Sequence, residues 1–333
     1  HPSYLHEHAG GRLSAFLKSD LFKIRPINSS SSWRRGAAHL INASVKEDAS
    51  TFFTEEFPNF IQCAGSVDGA SVCAKLVSMI HDQPLESEDP TIICQIDFAN
   101  AFQTPNRQLG TNDCILGIAL RTYDQGRVKG AALPHLKALK NFFPYFKSMN
   151  DVASRNRFTD NEGTTHYIPG SRGGLQGDPL EMTRFCLTVH PIWGRVLGRH
   201  MKTLGAAYAD DTYLMGKIQP TLLALADSVS SFRDDADLEV CLGKCKIYMS
   251  GIPKERAHQL ILDCINADES ATLEIVRPML AHDLDVIQVQ GLCVVGTPMG
   301  ASQYIRECVR SKCGTICKDV EQMRVCSDPL VRY

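Results

Sequence analysis

Two adjacent aspartates, Asp210 and Asp211, occur where the sequence predicts the turn of a short β-hairpin. A small-apolar run precedes the pair and a β-prone run ending at Gly216 follows it, a pattern typical of two strands joined by a tight turn. Neighbouring side chains of a regular strand point to opposite faces, so a turn is where two consecutive carboxylates converge. Because like charges held this close repel and raise each other's pKa, the pair favours a hard cation such as Mg²⁺.

A third carboxylate, Asp97, follows the apolar run 91–96, which predicts a buried strand. A carboxylate at the end of a buried strand is costly without a partner. An Asp-Asp pair alone is most often ordinary turn chemistry, and Asp97 is what changes the interpretation. Beside Asp210 and Asp211 it would build an oxygen-only site for two metal ions. Such a site clamps the attacking and leaving oxygens in phosphoryl or nucleotidyl transfer.

Three stretches carry a resemblance to a known family: residues 97–102 (DFANAF), 174–180 (GLQGDPL) and 208–211 (YADD). Their order, spacing and residue identities resemble motifs A, B and C of reverse transcriptases, of the non-LTR, LINE-like retrotransposon type. Shorter similarities to that family occur at residues 25–27 with 33–36, at 238–246 and at 291–300. The similarities together extend over nearly the whole chain.

The resemblance implies an α+β, right-hand polymerase fold with fingers, a palm with an antiparallel sheet, and a truncated thumb. The implied regions are fingers at 1–90, a palm at 91–284 with a fingers insertion near 108–172, and the primer grip and start of the thumb at 285–333. The implied reaction is template-directed transfer of a nucleotide from a dNTP to a primer 3′-hydroxyl by two-metal catalysis. An RNA template, a DNA primer and dNTPs are the implied partners.

Four residues are implied to be catalytic. Asp97 and Asp210 would bind two Mg²⁺ ions, for which Mn²⁺ could substitute, and Asp211 would support them as a third metal ligand. Lys244 would lie near the pyrophosphate leaving group, where a positioned cation or proton donor aids departure. A lysine beside a strand is otherwise usually solvent-facing, and both interpretations of Lys244 stand at this point.

Five further residues are implied to bind substrate. Arg25 would reach the triphosphate from the fingers, because its planar fork suits phosphate oxygens. Phe102 would lie under the sugar, where its ring would collide with a 2′-hydroxyl and so favour deoxynucleotides. The alternative for Phe102 is an aromatic packed in the core. Gln176 and Gly177 would pack on the nascent base pair and sugar, and Tyr208 completes this set.

One residue departs from the family pattern, because Glu181 follows motif B where Gly or Ser is usual. An extra carboxylate would repel the triphosphate if it faced the site, so either Glu181 points away or the activity is reduced. Arg34 and Arg35 are candidate contacts to the template backbone, with a solvated helix face as the alternative.

Bulk properties narrow the protein class. The net charge of −2 means that local patches must supply any phosphate contacts. No long apolar run occurs, which predicts no association with membranes. Thirteen cysteines without a paired Cys-x-x-Cys framework favour free thiols in a reducing, intracellular compartment. The retrotransposon resemblance implies a nuclear site of action.

Two alternative functions stay open. An RNA-directed RNA polymerase uses the same metal chemistry, but Phe102 and Tyr208-Ala209 argue against it. A catalytically degenerate retroelement remnant would bind only nucleic acid or a partner. The missing basic excess, Glu181 and the short thumb favour this second alternative, whereas the three aspartates oppose it.

Periodicity and turn residues predict the elements around the motifs. These are helices over 12–23, 33–45 and 69–80, a hairpin within 155–168, a helix that starts at Asp178-Pro179 and is kinked or broken at Pro191, a helix after Pro220, and two strands joined at Gly291.

Overall fold

The computed structural model describes residues 11–17, 24–81, 90–105, 143–150, 154–175, 177–281 and 286–325, which form a mixed α+β arrangement. The helices are α1 Ser32–Glu55, α2 Gly69–His81, α3 Phe143–Asn150, α4 Glu181–Arg199, α5 Ile218–Ala236, α6 Lys254–Asn266, α7 Arg277–Ala281 and α8 Ser302–Val325. The strands are β1 Gly11–Leu17, β2 Ile24–Ser30, β3 Phe60–Gln62, β4 Thr91–Ile96, β5 Ser154–Thr159, β6 Thr165–Gly170, β7 Leu204–Tyr208, β8 Asp211–Lys217, β9 Lys246–Tyr248, β10 Ile287–Gln288, β11 Gly291–Val294 and β12 Thr297–Gly300. Among these helices, none has the length and apolarity needed to cross a membrane.

The largest sheet has the strand order β10-β9-β4-β8-β7-β3. Its four middle strands, β9, β4, β8 and β7, are antiparallel, whereas β10 and β3 join the two edges in parallel pairing. A second sheet has the order β2-β1-β5-β6, and β11 pairs with β12 in a separate hairpin. The division of these elements into fingers, palm and thumb stays a prediction.

Alternate residues of β4 pack into two different cores, because side chains of a strand point to opposite faces in turn. Ile92 and Ile96 belong to the larger core, which contains Trp193 of α4 and many apolar residues of α5. Ile93 belongs to a second core formed with residues of α2, β8 and β11. In the described part of the chain, apolar residues therefore cover both faces of the main sheet.

The helix predicted over residues 12–23 is wrong. Residues 11–17 and 24–30 form the antiparallel strands β1 and β2, while residues 18–23 lie outside the described part of the chain. A short apolar run fits either a helix or a strand, so periodicity alone does not decide between them. Pairing decides for a strand, because residues 11–17 pair along their full length with β2, and β1 also lies beside β5 with Arg12 opposite Arg157.

The two strands predicted to join at Gly291 are confirmed as β10 and β11. β10 extends the main sheet beside β9, and β11 pairs with β12. A Cβ at Gly291 would overlap the ring of Tyr304 in α8, so this glycine allows the helix to approach the β11–β12 hairpin closely.

Most of the other predicted elements are confirmed with shifted ends. α1 and α2 contain the predicted helices, β5 and β6 form the predicted hairpin, and α5 follows as expected. The helix predicted to start at Asp178-Pro179 begins at Glu181 instead, and the Asp178 carboxylate accepts a hydrogen bond from the backbone N–H of Leu180. α4 continues through Pro191. Most of this helix is buried, including Pro191 itself, and this packing helps to keep the helix intact although an interior proline is unfavourable.

A buried acid and a buried imidazole meet where α1 packs on α4. Glu56 Oε2 lies 3.5 Å from His190 Nε2, and both side chains are fully buried. The His190 ring is enclosed by phenylalanine rings whose centroids lie 4.9 to 5.4 Å away, those of Phe52, Phe53, Phe57 and Phe60. Burial raises the pKa of Glu56 to about 9 and lowers the pKa of His190 to about 3. Both groups are consequently neutral at pH 7.

We expect Glu56 to make the protein less stable as the pH rises. Its folded-state pKa lies above its unfolded value of 4.5, so its stabilising effect is complete below that value and is lost as the pH rises toward 9. Glu56→Gln stays neutral and should become more stable than the wild type with rising pH, by up to about 1.4 kcal/mol per pH unit. Urea denaturation at pH 5, 7 and 9 measures this difference.

Glu55→Gln is the matched control for this measurement, because the neighbouring Glu55 side chain is exposed. Its stability should follow that of the wild type at each pH. A free-energy difference between Glu56→Gln and the wild type that stays the same at pH 5, 7 and 9 would contradict the assignment of a neutral buried acid.

Candidate active site

Strand register brings two of the predicted metal ligands together. β4 and β8 pair from Thr91 opposite Lys217 to Ile96 opposite Thr212. Asp97 follows Ile96 and Asp211 precedes Thr212, so continuation of the register places these two aspartates opposite each other. Directly opposed residues have Cβ atoms about 4.5 to 5.5 Å apart. Both aspartates therefore project from the same face at one end of the main sheet.

The third aspartate, Asp210, lies in the turn between β7 and β8. Tyr208 pairs with Asp211 across this turn, which leaves Ala209 and Asp210 as the two loop residues. The hairpin and its acidic turn thus form as predicted. Tyr208 is half-buried, and a Cβ at Gly69 would lie 3.3 Å from its ring, so this tyrosine packs at the start of α2.

The three carboxylates affect one another electrostatically. The pKa of Asp211 is raised to about 6, first by burial and then by the negative charges of Asp210 and Asp97. In the described ranges, no group of three or more His, Cys, Asp or Glu side chains is arranged so that it could hold a metal ion. The donor set nevertheless suits Mg²⁺, because carboxylate oxygens are its preferred protein ligands and a divalent cation relieves their repulsion.

Lys244 contacts this acidic group. Its Nζ lies 3.5 Å from Asp97 Oδ1, with side chains that are 58% and 45% exposed. Backbone contacts explain this placement, since Cys241 N donates to Asp97 O at 2.8 Å and Lys244 N donates to Cys241 O at 2.8 Å. The turn that carries Lys244 is thereby attached to the end of β4. Lys244 is thus both largely exposed and beside Asp97, and its role at the leaving group stays a prediction.

The β11–β12 hairpin is fixed to the same face of the sheet. Val295 N, in the hairpin turn, donates to Tyr213 Oη at 2.9 Å. Tyr213 lies two residues after Asp211 on β8 and so shares its face. The family resemblance implies that this hairpin belongs to the primer grip. It is attached to β8 two residues after Asp211, a predicted metal ligand.

Glycines allow the loop before α4 to lie on the segment after Asp97. Gly173 N donates to Pro105 O and Gly174 N donates to Phe102 O, each at 2.8 Å. Gly173 has a φ of +54°, and a Cβ there would overlap the backbone of Gln103. The motif A and motif B segments are therefore in direct contact.

The phenylalanine implied to read the sugar lies against α4. The Phe102 ring is half-buried, with its centroid 4.8 Å from that of Phe185. One part of the ring thus packs on the helix while another part stays accessible. The predicted contact of Phe102 with a sugar stays a prediction.

The remaining predicted substrate residues are placed only in part. Gly177 is exposed in the loop before α4, with a φ of +112° that favours glycine. Gln176 lies outside the described residues. The backbone of Arg25 lies in β2 opposite Phe16, in the second sheet, and its side chain is also outside the described part. The predicted contact of Arg25 with the triphosphate therefore stays a prediction.

Glu181 does not carry an unpaired charge toward the site. Its buried carboxylate forms an ion pair with Arg184 one turn later in α4, and Arg184 Nε donates to both carboxylate oxygens. A Cβ at Gly174 would overlap this carboxylate, so Glu181 lies directly beneath the motif B loop. Its negative charge is compensated inside the protein, which answers the question raised by this departure from the family pattern.

Arg34 is not a template contact. Its Nε lies 2.8 Å from Asp178 Oδ2, and both side chains are about 95% buried. This ion pair joins α1 to the motif B loop. Sequence reasoning missed it, because the two residues are 144 positions apart and no local pattern links them. Arg35 is exposed, as a solvated helix face requires.

Sequence reasoning also missed Gln62, the last residue of β3. Its fully buried side chain forms hydrogen bonds with both the backbone N–H and the backbone carbonyl of Ala209, in the acidic turn. The residues are 147 positions apart, and a lone glutamine after an apolar pair gives no signal of such a contact.

No protein-family model matches the sequence, and no curated protein sequence matches it either. Among solved structures, telomerase from Candida albicans in complex with a TWJ fragment of telomeric RNA covers 74% of this chain and 43% of its own, at 11% identity and a TM-score of 0.45. Apo telomerase from Candida tropicalis covers 72% and 44%, at 11% identity and a TM-score of 0.48. The aligned region spans less than half of either telomerase chain. With TM-scores below 0.5, these likenesses assign neither a fold nor an activity.

We expect the charge of Asp210 to contribute measurably to the pKa of Asp211. Asp210→Asn removes that charge and should lower the Asp211 pKa from about 6 part of the way to its usual value, because burial, the larger cause, stays. Carboxyl-¹³C NMR titration of the metal-free protein measures the shift. Asp234→Asn, a change at an exposed position, should leave the Asp211 pKa unaltered. An unchanged pKa in Asp210→Asn would mean that the two carboxylates do not interact.

Proposed function

We propose that this chain is the polymerase region of a reverse transcriptase of the non-LTR retrotransposon type. It would add deoxynucleotides to a primer 3′-hydroxyl as directed by an RNA template, with a nuclear site of action. The observation that carries the proposal is the meeting of Asp97, Asp210 and Asp211 at one end of an antiparallel sheet, with Lys244 on Asp97. The resemblance of the three sequence motifs supports the same activity.

The aspartates have the chemistry that two-metal catalysis needs. Asp97 and Asp210 would hold two Mg²⁺ ions and Asp211 would support them, since all three supply oxygen ligands. Bound there, the ions would lower the pKa of the primer 3′-hydroxyl and neutralise charge on the triphosphate. Each carboxylate would lose its repulsive interaction with the other two when the ions bind.

Two other residues would act on the nucleotide. The exposed Lys244 ammonium would turn from Asp97 to the leaving pyrophosphate, where it would hold negative charge or donate a proton. The accessible part of the Phe102 ring would support the sugar and exclude a 2′-hydroxyl. The Phe102 ring packs against Phe185, and the hydrogen bond from Gly174 N to Phe102 O fixes the backbone that carries the ring.

The second sheet supplies a basic surface for the RNA template. None of its four strands contains an acidic residue, whereas three of them carry arginines. Arg157 lies opposite both Arg12 and Tyr167, so all three share one face, and Tyr167 is 64% exposed. Arg155 lies two residues from Arg157 on that face. Exposed arginines with an aromatic side chain suit a phosphate backbone and stacked bases.

One argument for the alternative of a catalytically degenerate remnant no longer holds. Glu181 was a reason to expect reduced activity, and its buried pair with Arg184 removes that reason. The intact acidic group stands against a remnant, and Phe102 against an RNA-directed RNA polymerase.

We expect the chain to extend a primer on an RNA template with dNTPs in Mg²⁺ or Mn²⁺. Asp210→Asn should reduce the rate by roughly 10³-fold or more, because it removes a metal ligand from a site that acts as a unit. Primer-extension assays with dNTPs and, separately, with ribonucleotides measure the activity. Asp234→Asn is the matched control and should keep the wild-type rate.

Two outcomes would contradict this proposal in different ways. Extension with ribonucleotides in place of dNTPs would overturn the role of Phe102 and favour an RNA polymerase. Binding of primed RNA without any extension would favour the remnant.

We expect the arginine face of the second sheet to contribute to RNA affinity. Arg155→Ala and Arg157→Ala should each weaken RNA binding and reduce the steepness of log affinity against log salt by about 0.7, because each change removes one phosphate contact to a single strand. Fluorescence anisotropy with a labelled single-stranded RNA over a range of salt concentrations measures both effects. Lys318→Ala on the exposed side of α8 is the control. Equal slopes for all variants would place the RNA elsewhere.

A further inference from the structure

The acidic turn holds an alanine in a conformation that favours glycine. Ala209 has a φ of +55°, although it carries a Cβ. Two-residue hairpin loops with a positive φ at the first loop position prefer glycine there, as in a type II′ turn. A non-glycine residue in such a conformation is strained and persists only where its surroundings hold it.

Gln62 is the group that holds Ala209. Its Nε2 donates to Ala209 O at 3.1 Å, and its Oε1 accepts from Ala209 N at 3.0 Å. Oε1 also accepts from Ala64 N at 3.2 Å, which fixes the amide itself. Both polar groups of one turn residue are thus bonded to a single, fully buried side chain.

Only an amide side chain of this length can make the full set of contacts. A carboxylate would accept from Ala209 N but would face Ala209 O as a second acceptor. An aliphatic side chain would leave both buried backbone groups of Ala209 without these partners, which is costly. Gln62 lies at the end of β3, whose parallel pairing with β7 sets its distance from the turn.

We propose that Gln62 is a positioning residue for the catalytic turn. By fixing both backbone groups of Ala209, it sets the direction in which the chain enters Asp210, and so aims that carboxylate toward Asp97 and Asp211. Gln62 thereby holds Ala209 in a backbone conformation that is unfavourable for alanine alone. This inference rests on the proposed function for its metal and on the hydrogen bonds for its geometry.

The test compares Gln62→Leu with a matched variant, Asn59→Leu. Asn59 is also a buried amide of the β3 segment, but its side chain donates to Leu197 O at 2.9 Å and Thr203 O at 3.1 Å, away from the acidic turn. Both variants lose buried hydrogen bonds and should be less stable. Only Gln62→Leu should alter the turn.

The first measurement is Mn²⁺ binding to the whole chain, followed by electron paramagnetic resonance. Gln62→Leu should weaken Mn²⁺ binding at least about tenfold, whereas Asn59→Leu should keep the wild-type affinity. Gln62→Glu should fall in between, since it retains the bond from Ala209 N and loses the bond to Ala209 O. In primer extension, Gln62→Leu should lower kcat more than it changes KM for the dNTP.

The second measurement needs no metal. Amide hydrogen exchange at Ala209 and Asp210 should be faster in Gln62→Leu than in the wild type, with exchange at Leu214 in β8 unchanged. Wild-type exchange rates in the turn, or wild-type Mn²⁺ affinity in Gln62→Leu, would overturn the positioning role. If the wild type fails to bind Mn²⁺, the proposed function fails, and hydrogen exchange still decides whether Gln62 orders the turn.

Discussion

The antiparallel pairing of β4 with β8 is the constraint on which the candidate site depends. It determines that Asp97 and Asp211 lie opposite each other, and the two-residue loop at the end of the same hairpin adds Asp210. Apolar cores on both faces of the sheet keep this pairing in one register, because a slip by one residue would exchange buried and exposed side chains. Hydrophobic packing thereby keeps the three carboxylates close together despite their mutual repulsion.

Compensated buried charges form the surroundings of the site. The pair of Glu181 with Arg184 lies under the motif B loop, and the pair of Arg34 with Asp178 attaches that loop to α1. Removing one partner of such a pair would leave a buried charge unpaired, so each pair also fixes the elements that carry it. The strained backbone of Ala209 is likewise stabilised by a buried polar side chain, that of Gln62 at the end of the distant strand β3. Polar contacts thus order the loops, while apolar packing orders the sheet.

Sequence reasoning was accurate where the signal is local. The hairpin around Asp210, the strand before Asp97 and the helices at 33–45 and 69–80 follow from residue spacing within one element. It failed where a partner is distant in sequence. It gave no sign of the ion pair between Arg34 and Asp178, and it did not predict that β1 lies beside β5, more than 130 positions later. Local spacing contains no information on either pairing.

The sequence by itself determined that three aspartates would stand at strand ends and turns, because strand alternation and turn preference are encoded within a few residues. It also predicted the acidic turn, but it gave no indication of the contacts that stabilise this turn. Only the tertiary structure decided that Lys244 contacts Asp97, that Arg34 pairs with Asp178, and that Gln62 binds Ala209. These contacts depend on where the side chains point once the helices and strands have packed against one another. Sequence spacing fixes that direction within an element, whereas the packing of elements fixes it between residues as far apart as Gln62 and Ala209.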